Sequence, residues 1–521
     1  MSKWTWRKQG HGVSRRELFK AGGVAGGMAV AGVGFGVQEA TAAAATLTEN
    51  IYTQVGVRPA INLTAAWTIY GGLLTLPSVK KAMEEASFFS VNIDELMQKV
   101  GERLASLLGS ESAIVTCGAA SAAGIAVAGC ITGGDPEKIQ RLPHLEGLKS
   151  EVIMPSSSRN EYDQAMRASG AKIINIDSEE QYRSALGPNT AMVAVLGTEP
   201  GKIPLEQMCQ MAKQAKVPLM VDASAEVPSL PNAYLRRGAD MVAVSGGKYL
   251  AGPQCSGLLI GRRDLIQAAW ANSAPHHGLC RTNKVGKEEI MGLLAAVETF
   301  VHSRNYAQDV NTWNSWLTTI QKHLTDLPGV TTKLMPPPLP IPHPYLLLEW
   351  DPAKIPMTGD DLNQRCLAGN PRLMTLASGD GHSVRIRAGG MKPEDAPVSG
   401  VRLRQVFEEA AREKKKTPSA PSQRVDGRWM VDIHFAAGAA RHEMDLRAAG
   451  NKVSGSYKSA YRETAVAGTI EGNKLRLRAE LACDGFTLPY VFSGEVAGKQ
   501  MSGVLDLGEH GHARWSGWQE G

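Results

Sequence analysis

At 521 residues, with 43% hydrophobic and 21% charged side chains, the chain is long enough for about two to four domains and too apolar to be a disordered protein. A net charge of +5 is mild for this length, and without a basic cluster interleaved with aromatics nothing implies a nucleic-acid partner. Seven scattered cysteines, an odd number with no C-x-x-C pair, argue against a disulfide framework or a structural zinc, and no metal site is expected.

Residues 1–42 read as an export address rather than as part of the fold. Ser14–Lys20 (SRRELFK) resembles a twin-arginine signal, with Leu then Phe where Phe then Leu is commoner. An uncharged Gly/Ala-rich stretch from Ala21 to Val37 follows, and Ala40–Ala42 suits signal-peptidase cleavage. The stretch barely reaches the roughly 17 residues that a membrane span needs, and its glycines lower its hydrophobicity, so cleavage is expected over an uncleaved anchor. The expected partner is the twin-arginine export machinery, and the expected location is periplasmic or otherwise extracytoplasmic. That route carries folded proteins, so a cofactor can be loaded before export.

Residues 43–330 carry the pattern of a large α/β domain. Short β-branched runs at Ala113–Thr116, Val152–Met154, Lys172–Ile176, Met192–Leu196, Leu219–Val221, Met241–Val244 and Gly257–Ile260 alternate with helical stretches. They predict a mainly parallel sheet covered on both faces, with active groups at the carboxyl ends of its strands. Three such ends carry chemistry. The first strand runs into the small-residue turn Cys117–Ser121 and an Ala-rich helix, which together make an anion cradle, although close strand–helix packing uses the same residues. Another strand ends on Asp222, and a third runs into Ser245-Gly-Gly-Lys248. An acid and an amine at neighbouring strand ends look like the two poles of a pyridoxal phosphate site: the Lys amine forms a Schiff base, and the carboxylate keeps the pyridine nitrogen protonated. Cys117 reads as a small packing residue. The pair His276–His277 suits acid–base chemistry or a polar loop equally.

Apolar residues at Ile290, Leu293, Leu294, Val297 and Val301 predict a helix packed on the large domain. A Pro-rich break at Met335–Pro344 leads through a smaller α/β lobe, residues 331–412, with strands at Tyr345–Trp350 and Ser383–Arg387. Residues 413–423 are a charged, then Pro/Ser-rich linker. Residues 424–521 then change to short alternating strands with Gly-x-x-x-Gly spacings at Gly468–Gly472 and Gly494–Gly498 and a related turn over Gly450–Gly455, the pattern of an antiparallel β barrel or sandwich. His434, His442, His510 and His512 in this segment lack a metal-ligand pattern.

Several longer segments, in order, resemble one family: Gly56–Asn62 (GVRPAIN), Ile93–Leu96 (IDEL), Val115–Ser121 (VTCGAAS), Arg159–Tyr162 (RNEY), Val221–Ser224 (VDAS), Ser245–Gln254 (SGGKYLAGPQ) and Lys284–Ile290 (KVGKEEI). Residues 51 to about 410 are similar to fold-type I pyridoxal phosphate enzymes related to selenocysteine synthase (L-seryl-tRNA selenium transferase), and most so to the D-glucosaminate-6-phosphate ammonia-lyase type. The resemblance implies Lys248 as the cofactor-linked lysine and Asp222 on the pyridine nitrogen, with Ser224 among the cofactor-binding residues. It puts Gly118, Ala119, Ala120 and Ser121, with Ser245, around the phosphate. For substrate it implies Arg387, with Arg385 on the same strand face as its rival, and Arg159, Asn160 and Tyr162 in the pocket lining. The expectation is a homodimer or higher oligomer acting on an amino acid or amino-sugar acid, by β-elimination before racemisation, aldol cleavage or transfer. Charged tRNA is absent outside the cytoplasm, which disfavours selenium transfer. The rival class is a non-catalytic scaffold binding an envelope partner or glycan.

Overall fold

A computed structural model describes residues 49–519, apart from 199, 378, 380 and 414–417. The export address and the middle of the linker therefore lie outside the described residues. In the first strand, β1 (Ile61–Asn62), the N-terminal segment pairs with β11 (Leu373–Met374) of the smaller lobe, well over three hundred residues later.

The large domain is built on seven strands: β2 (Ser112–Thr116), β3 (Glu151–Pro155), β4 (Lys172–Ile176), β5 (Thr190–Leu196), β6 (Leu219–Asp222), β7 (Met241–Ser245) and β8 (Gly257–Gly261). Their spatial order is β2-β8-β7-β6-β5-β3-β4. Every strand in that order runs parallel except β8, which pairs antiparallel with both β2 and β7. Both sheet faces are covered, so β5, β6, β7 and β8 are buried almost throughout and need no polar alternation. The antiparallel β8 brings its first residue, Gly257, to the edge where its parallel neighbours end. There Thr116, Gly257 and Ser245 stand in one row across three strands.

The helix Lys287–His302 buries Ile290, Leu293 and Val297 against this domain, on the face that the helical spacing marked. The smaller lobe pairs β9 (Val330–Met335), β10 (Tyr345–Trp350) and β12 (Ser383–Arg387) antiparallel. Its own core includes Leu346, Leu348, Ile386 and Phe407.

The C-terminal segment closes into an eight-stranded antiparallel barrel: β13 (Gly427–Phe435), β14 (Gly438–Ala449), β15 (Lys452–Lys458), β16 (Glu463–Glu471), β17 (Lys474–Cys483), β18 (Phe486–Ala497), β19 (Gln500–Asp506) and β20 (His512–Gln519). Closure decides between the barrel and sandwich alternatives: β20 pairs back onto β13, so no edge strand remains. Apolar residues at every second position fill the interior, as in β17 with Leu475, Leu477, Ala479 and Leu481. Each glycine spacing marks a turn at one end only. Gly450, Gly472 and Gly498 make the tight turns at positive φ, whereas Gly455, Gly468 and Gly494 lie inside strands. A Cβ on any of those three would strike the neighbouring strand's backbone, so they serve close strand approach rather than reversal.

Candidate active site

Because β6 and β7 are adjacent and parallel, Asp222 stands opposite Ala243 at the strand ends, two residues before Ser245. The chain then turns through Gly246 and Gly247 to Lys248. Its Nζ lies 3.4 Å from the Ser224 hydroxyl, while the Ser224 N–H donates to Asp222 Oδ1 at 2.9 Å. Burial pushes the Lys248 amine below its usual range, against the opposing pull of Asp222 and Glu161. A lysine held toward its neutral form is a competent nucleophile. Tyr249, the next residue, is locked in place: its hydroxyl donates to Asp309 at 3.0 Å, its carbonyl accepts from Arg304, and the Arg304 guanidinium sits 4.1 Å over its ring.

The cradle follows from β2. Thr116 Oγ1 donates to the Gly118 carbonyl at 2.8 Å, and Gly118, at φ 144°, turns the chain into the helix Ala119–Thr132. Among the described residues no side chain caps that helix, leaving its first N–H groups for an anion, and the buried Ser121 hydroxyl beside them has no partner. Cradle, acid and amine line one pocket of about 350 Å³, together with Ala66, Thr68, Cys117, Tyr162, Ser224, Ser245, Gly247, Gln254 and Cys255. That volume suits a small cofactor with substrate. Pyridoxal phosphate needs an anion site, an acid for its ring nitrogen and an amine for its aldehyde, and this pocket offers all three groups.

Residues 155–280 match the aminotransferase class-V family model. D-glucosaminate-6-phosphate ammonia lyase of Salmonella typhimurium is 33% identical over 267 residues, 49% of this chain and 71% of that protein. The chain belongs to the D-glucosaminate-6-phosphate ammonia-lyase family. A solved structure of a D-glucosaminate-6-phosphate ammonia-lyase superposes with a TM-score of 0.61 and 26% identity, covering 70% of this chain and 100% of that one. The 5'-C-glycyluridine monooxygenase-decarboxylase of a Streptomyces species is 29% identical over 340 residues, 62% of this chain and 83% of that protein. This member of the family is a pyridoxal 5'-phosphate enzyme of the ammonia-lyase type, with the fold-type I architecture and an added barrel.

The other expected residues fall into distinct environments. Tyr162 lines the pocket with its ring centre 5.9 Å from Lys248 Nζ. Arg159 bonds Asp163 at 2.5 Å and Asn175 at 2.6 Å, while Asn160, whose side chain accepts from Tyr162 N–H at 2.9 Å, lines a small cavity that it shares with Tyr162 and Asp222. They fix the segment that carries Tyr162. Arg385 is exposed on β12, whereas Arg387 is half-buried, and both guanidiniums face the Tyr345 ring. Burial, then the Arg385 charge, disfavours the Arg387 cation, and no carboxylate pairs with it among the described residues. That imbalance favours Arg387 over Arg385 for an incoming carboxylate. His276 bonds Asp94 at 3.1 Å and the Trp270 carbonyl at 3.0 Å, and neither it nor His277 lines the Lys248 pocket. Of the barrel histidines, His442 is buried against the Tyr457 hydroxyl.

Sequence reading missed Ala66 and Thr68, which the β1–β11 pairing delivers to the pocket, and it missed Glu226. This carboxyl is buried, accepts from the Tyr234 hydroxyl at 2.8 and 2.9 Å, and is pushed up to about 7 by desolvation, with Asp222 adding to the rise.

Gly257 tests the cradle. A Cβ there would lie 2.6 Å from Gly118 C and 2.8 Å from Ala119 N, so Gly257→Ala is expected to weaken pyridoxal phosphate binding by about tenfold or more, a loss of about 1.4 kcal/mol. Equilibrium titration with the cofactor checks it. Glu226 tests the buried acid. Its pKa is raised on folding, so the folded chain holds a proton that the unfolded chain releases; stability falls as pH rises from the ordinary carboxyl value through about 7. Glu226→Gln keeps an acceptor for Tyr234 and should raise stability at pH 8 by roughly 1–3 kcal/mol, with no gain near pH 4. Thermal unfolding of both proteins across that range gives the answer.

Proposed function

We propose that the chain is an exported, homodimeric lyase that eliminates a β-substituent from an unphosphorylated amino-sugar acid or a related β-hydroxy amino acid and releases ammonia. The observation that carries this reading is the convergence of Lys248, Asp222 and the Gly118–Ala120 cradle on one pocket, in a chain of the ammonia-lyase family. Bound in that pocket, the cofactor supplies an electron sink for the α-carbon of an amino acid. Lys248 Nζ is the base: its burial favours the neutral amine, and once substrate amine has taken its place Nζ is free to accept the α-proton. Asp222 is the carboxylate that holds the ring nitrogen protonated, steadied by the Ser224 N–H. Arg387 is the guanidinium for the substrate carboxylate. The balance is simple: the hydroxyl at C3 leaves as water, a water returns at C2 as the amine departs, and the products are a 2-oxo acid and ammonia.

The relative's name specifies a 6-phosphate substrate. Export supports the unphosphorylated counterpart, because phosphorylated sugar acids are held in the cytoplasm. Support for the dimer comes from the exposed apolar side chains: among the described residues, ten of the seventeen large ones fall within residues 51–91, including Ile69 and Phe88. So dense an exposed set is a subunit-contact signature.

Lys248→Ala should lower ammonia release from D-glucosaminate by about 10³-fold or more, measured on cofactor-loaded protein; unchanged turnover contradicts the mechanism. Arg15→Lys with Arg16→Lys should leave the protein in the cytoplasmic fraction, while equal release of variant and wild type contradicts export. Light scattering should give twice the chain mass, and Phe88→Glu with Phe89→Glu should shift it toward one; a wild-type monomer contradicts the dimer.

A further inference from the structure

The barrel lies outside the matched catalytic region, yet one of its strands touches the catalytic body at both ends. Near the start of β17, Arg476 pairs with Asp360 at 3.0 Å, in the first turn of the smaller-lobe helix Gly359–Ala368. Eight residues on, about 26 Å along an extended strand, the turn after β17 meets the large domain. Asp484 takes Arg167 through its carbonyl at 3.4 Å and its carboxylate at 3.8 Å. Gly485, at φ +70°, lies so close that a Cβ would fall 2.5 Å from the Asn160 carbonyl and 2.7 Å from the Asp163 carboxylate. Asp163 is fully buried and binds Arg159 on one oxygen and Arg167 on the other. Arg159, Asn160, Asp163 and Arg167 thus form a small polar knot whose outer surface is the barrel. Tyr162 projects from it toward Lys248. A second turn at the same barrel end, Gly508–His510, packs on Pro489, and its Glu509 is near enough for its charge to raise the Tyr162 phenol, after burial and Glu161.

We infer that the barrel is a working wall of the active site: β17 bridges the smaller lobe and the large domain, and the Asp484–Gly485 turn positions Tyr162 and Glu161 beside Lys248. The inference rests on reading the Lys248 pocket as the cofactor site, and it assigns Asp484, Gly485 and Arg167 as positioning residues. Gly485 also serves the two-residue turn between β17 and β18, so the case for a wall rests on the contacts at the two ends of β17, Arg476 with Asp360 and Asp484 with Arg167. Tyr162 and Glu161 both favour a positive charge at Lys248, the one through its ring face and the other through its carboxylate. Loosening the knot therefore lowers the pH at which the cofactor-linked Lys248 nitrogen loses its proton.

The test uses full-length protein loaded with pyridoxal phosphate. The visible absorption band is titrated against pH for wild type, Gly485→Val, Asp484→Ala and, at the opposite barrel end, Lys499→Ala. The first two should move the midpoint down by about half a pH unit, the size that a lost cation–π contact carries. Lys499→Ala should leave it in place, and Asp484→Glu should restore it. Asp484→Ala removes only a surface carboxylate, so it keeps the test alive if Gly485→Val fails to fold. Folded variants whose midpoints match wild type overturn the inference. A wild type with no visible band overturns the pocket reading instead, which is a different failure.

Discussion

The adjacency of β6 and β7 in a parallel sheet is the constraint on which the site depends. Parallel neighbours end on the same edge, so a carboxylate closing one and an amine just beyond the other must meet there. The antiparallel β8 then completes the edge by inserting Gly257 between Thr116 and Ser245. A side chain at that one position would occupy the space next to the Gly118 turn. The cradle, the acid and the amine are thus one consequence of strand order.

Burial gives this edge its chemistry. Lys248 is desolvated enough to disfavour its cation, while Asp222 and Glu161 pull the other way. The two influences oppose each other, and among the described residues no ion pair fixes the amine. Glu226 extends the same logic behind Asp222, as a buried acid near neutrality whose hydroxyl partner does not offset its desolvation. Arg387 is the complement in the smaller lobe, a half-buried cation with a ring and another cation for neighbours. Each of these groups sits at a cost to stability, and for the two cations, Lys248 and Arg387, a nearby bound anion would reduce it.

Local pattern made the strands and strand-end residues legible. Val221–Asp222 and Ser245–Lys248 could be read because buried parallel strands are continuous apolar runs, and the residues that break them stand at their ends. Gly118–Ser121 could be read because a helix without a polar cap is legible as small residues after a strand. Distance in sequence hid the rest. Thr68 reaches the pocket because Ile61–Asn62 pair with Leu373–Met374, and Glu226 stands out only beside Tyr234 and Asp222. Arg159 carries the right residue type for a pocket but faces Asp163 and Asn175, a direction that residue type does not encode. In the barrel, strand glycines and turn glycines share one spacing, and only the neighbouring strand tells them apart.

The central claim is that Lys248 carries the cofactor in the pocket that Asp222 and the Gly118–Ala120 turn complete. Borohydride reduction of the protein supplied with pyridoxal phosphate, followed by peptide mass mapping, tests it most directly. The account predicts loss of the visible band and a reduced pyridoxyl group on the peptide containing Lys248. A stable adduct on a different lysine, or none at all, would contradict it.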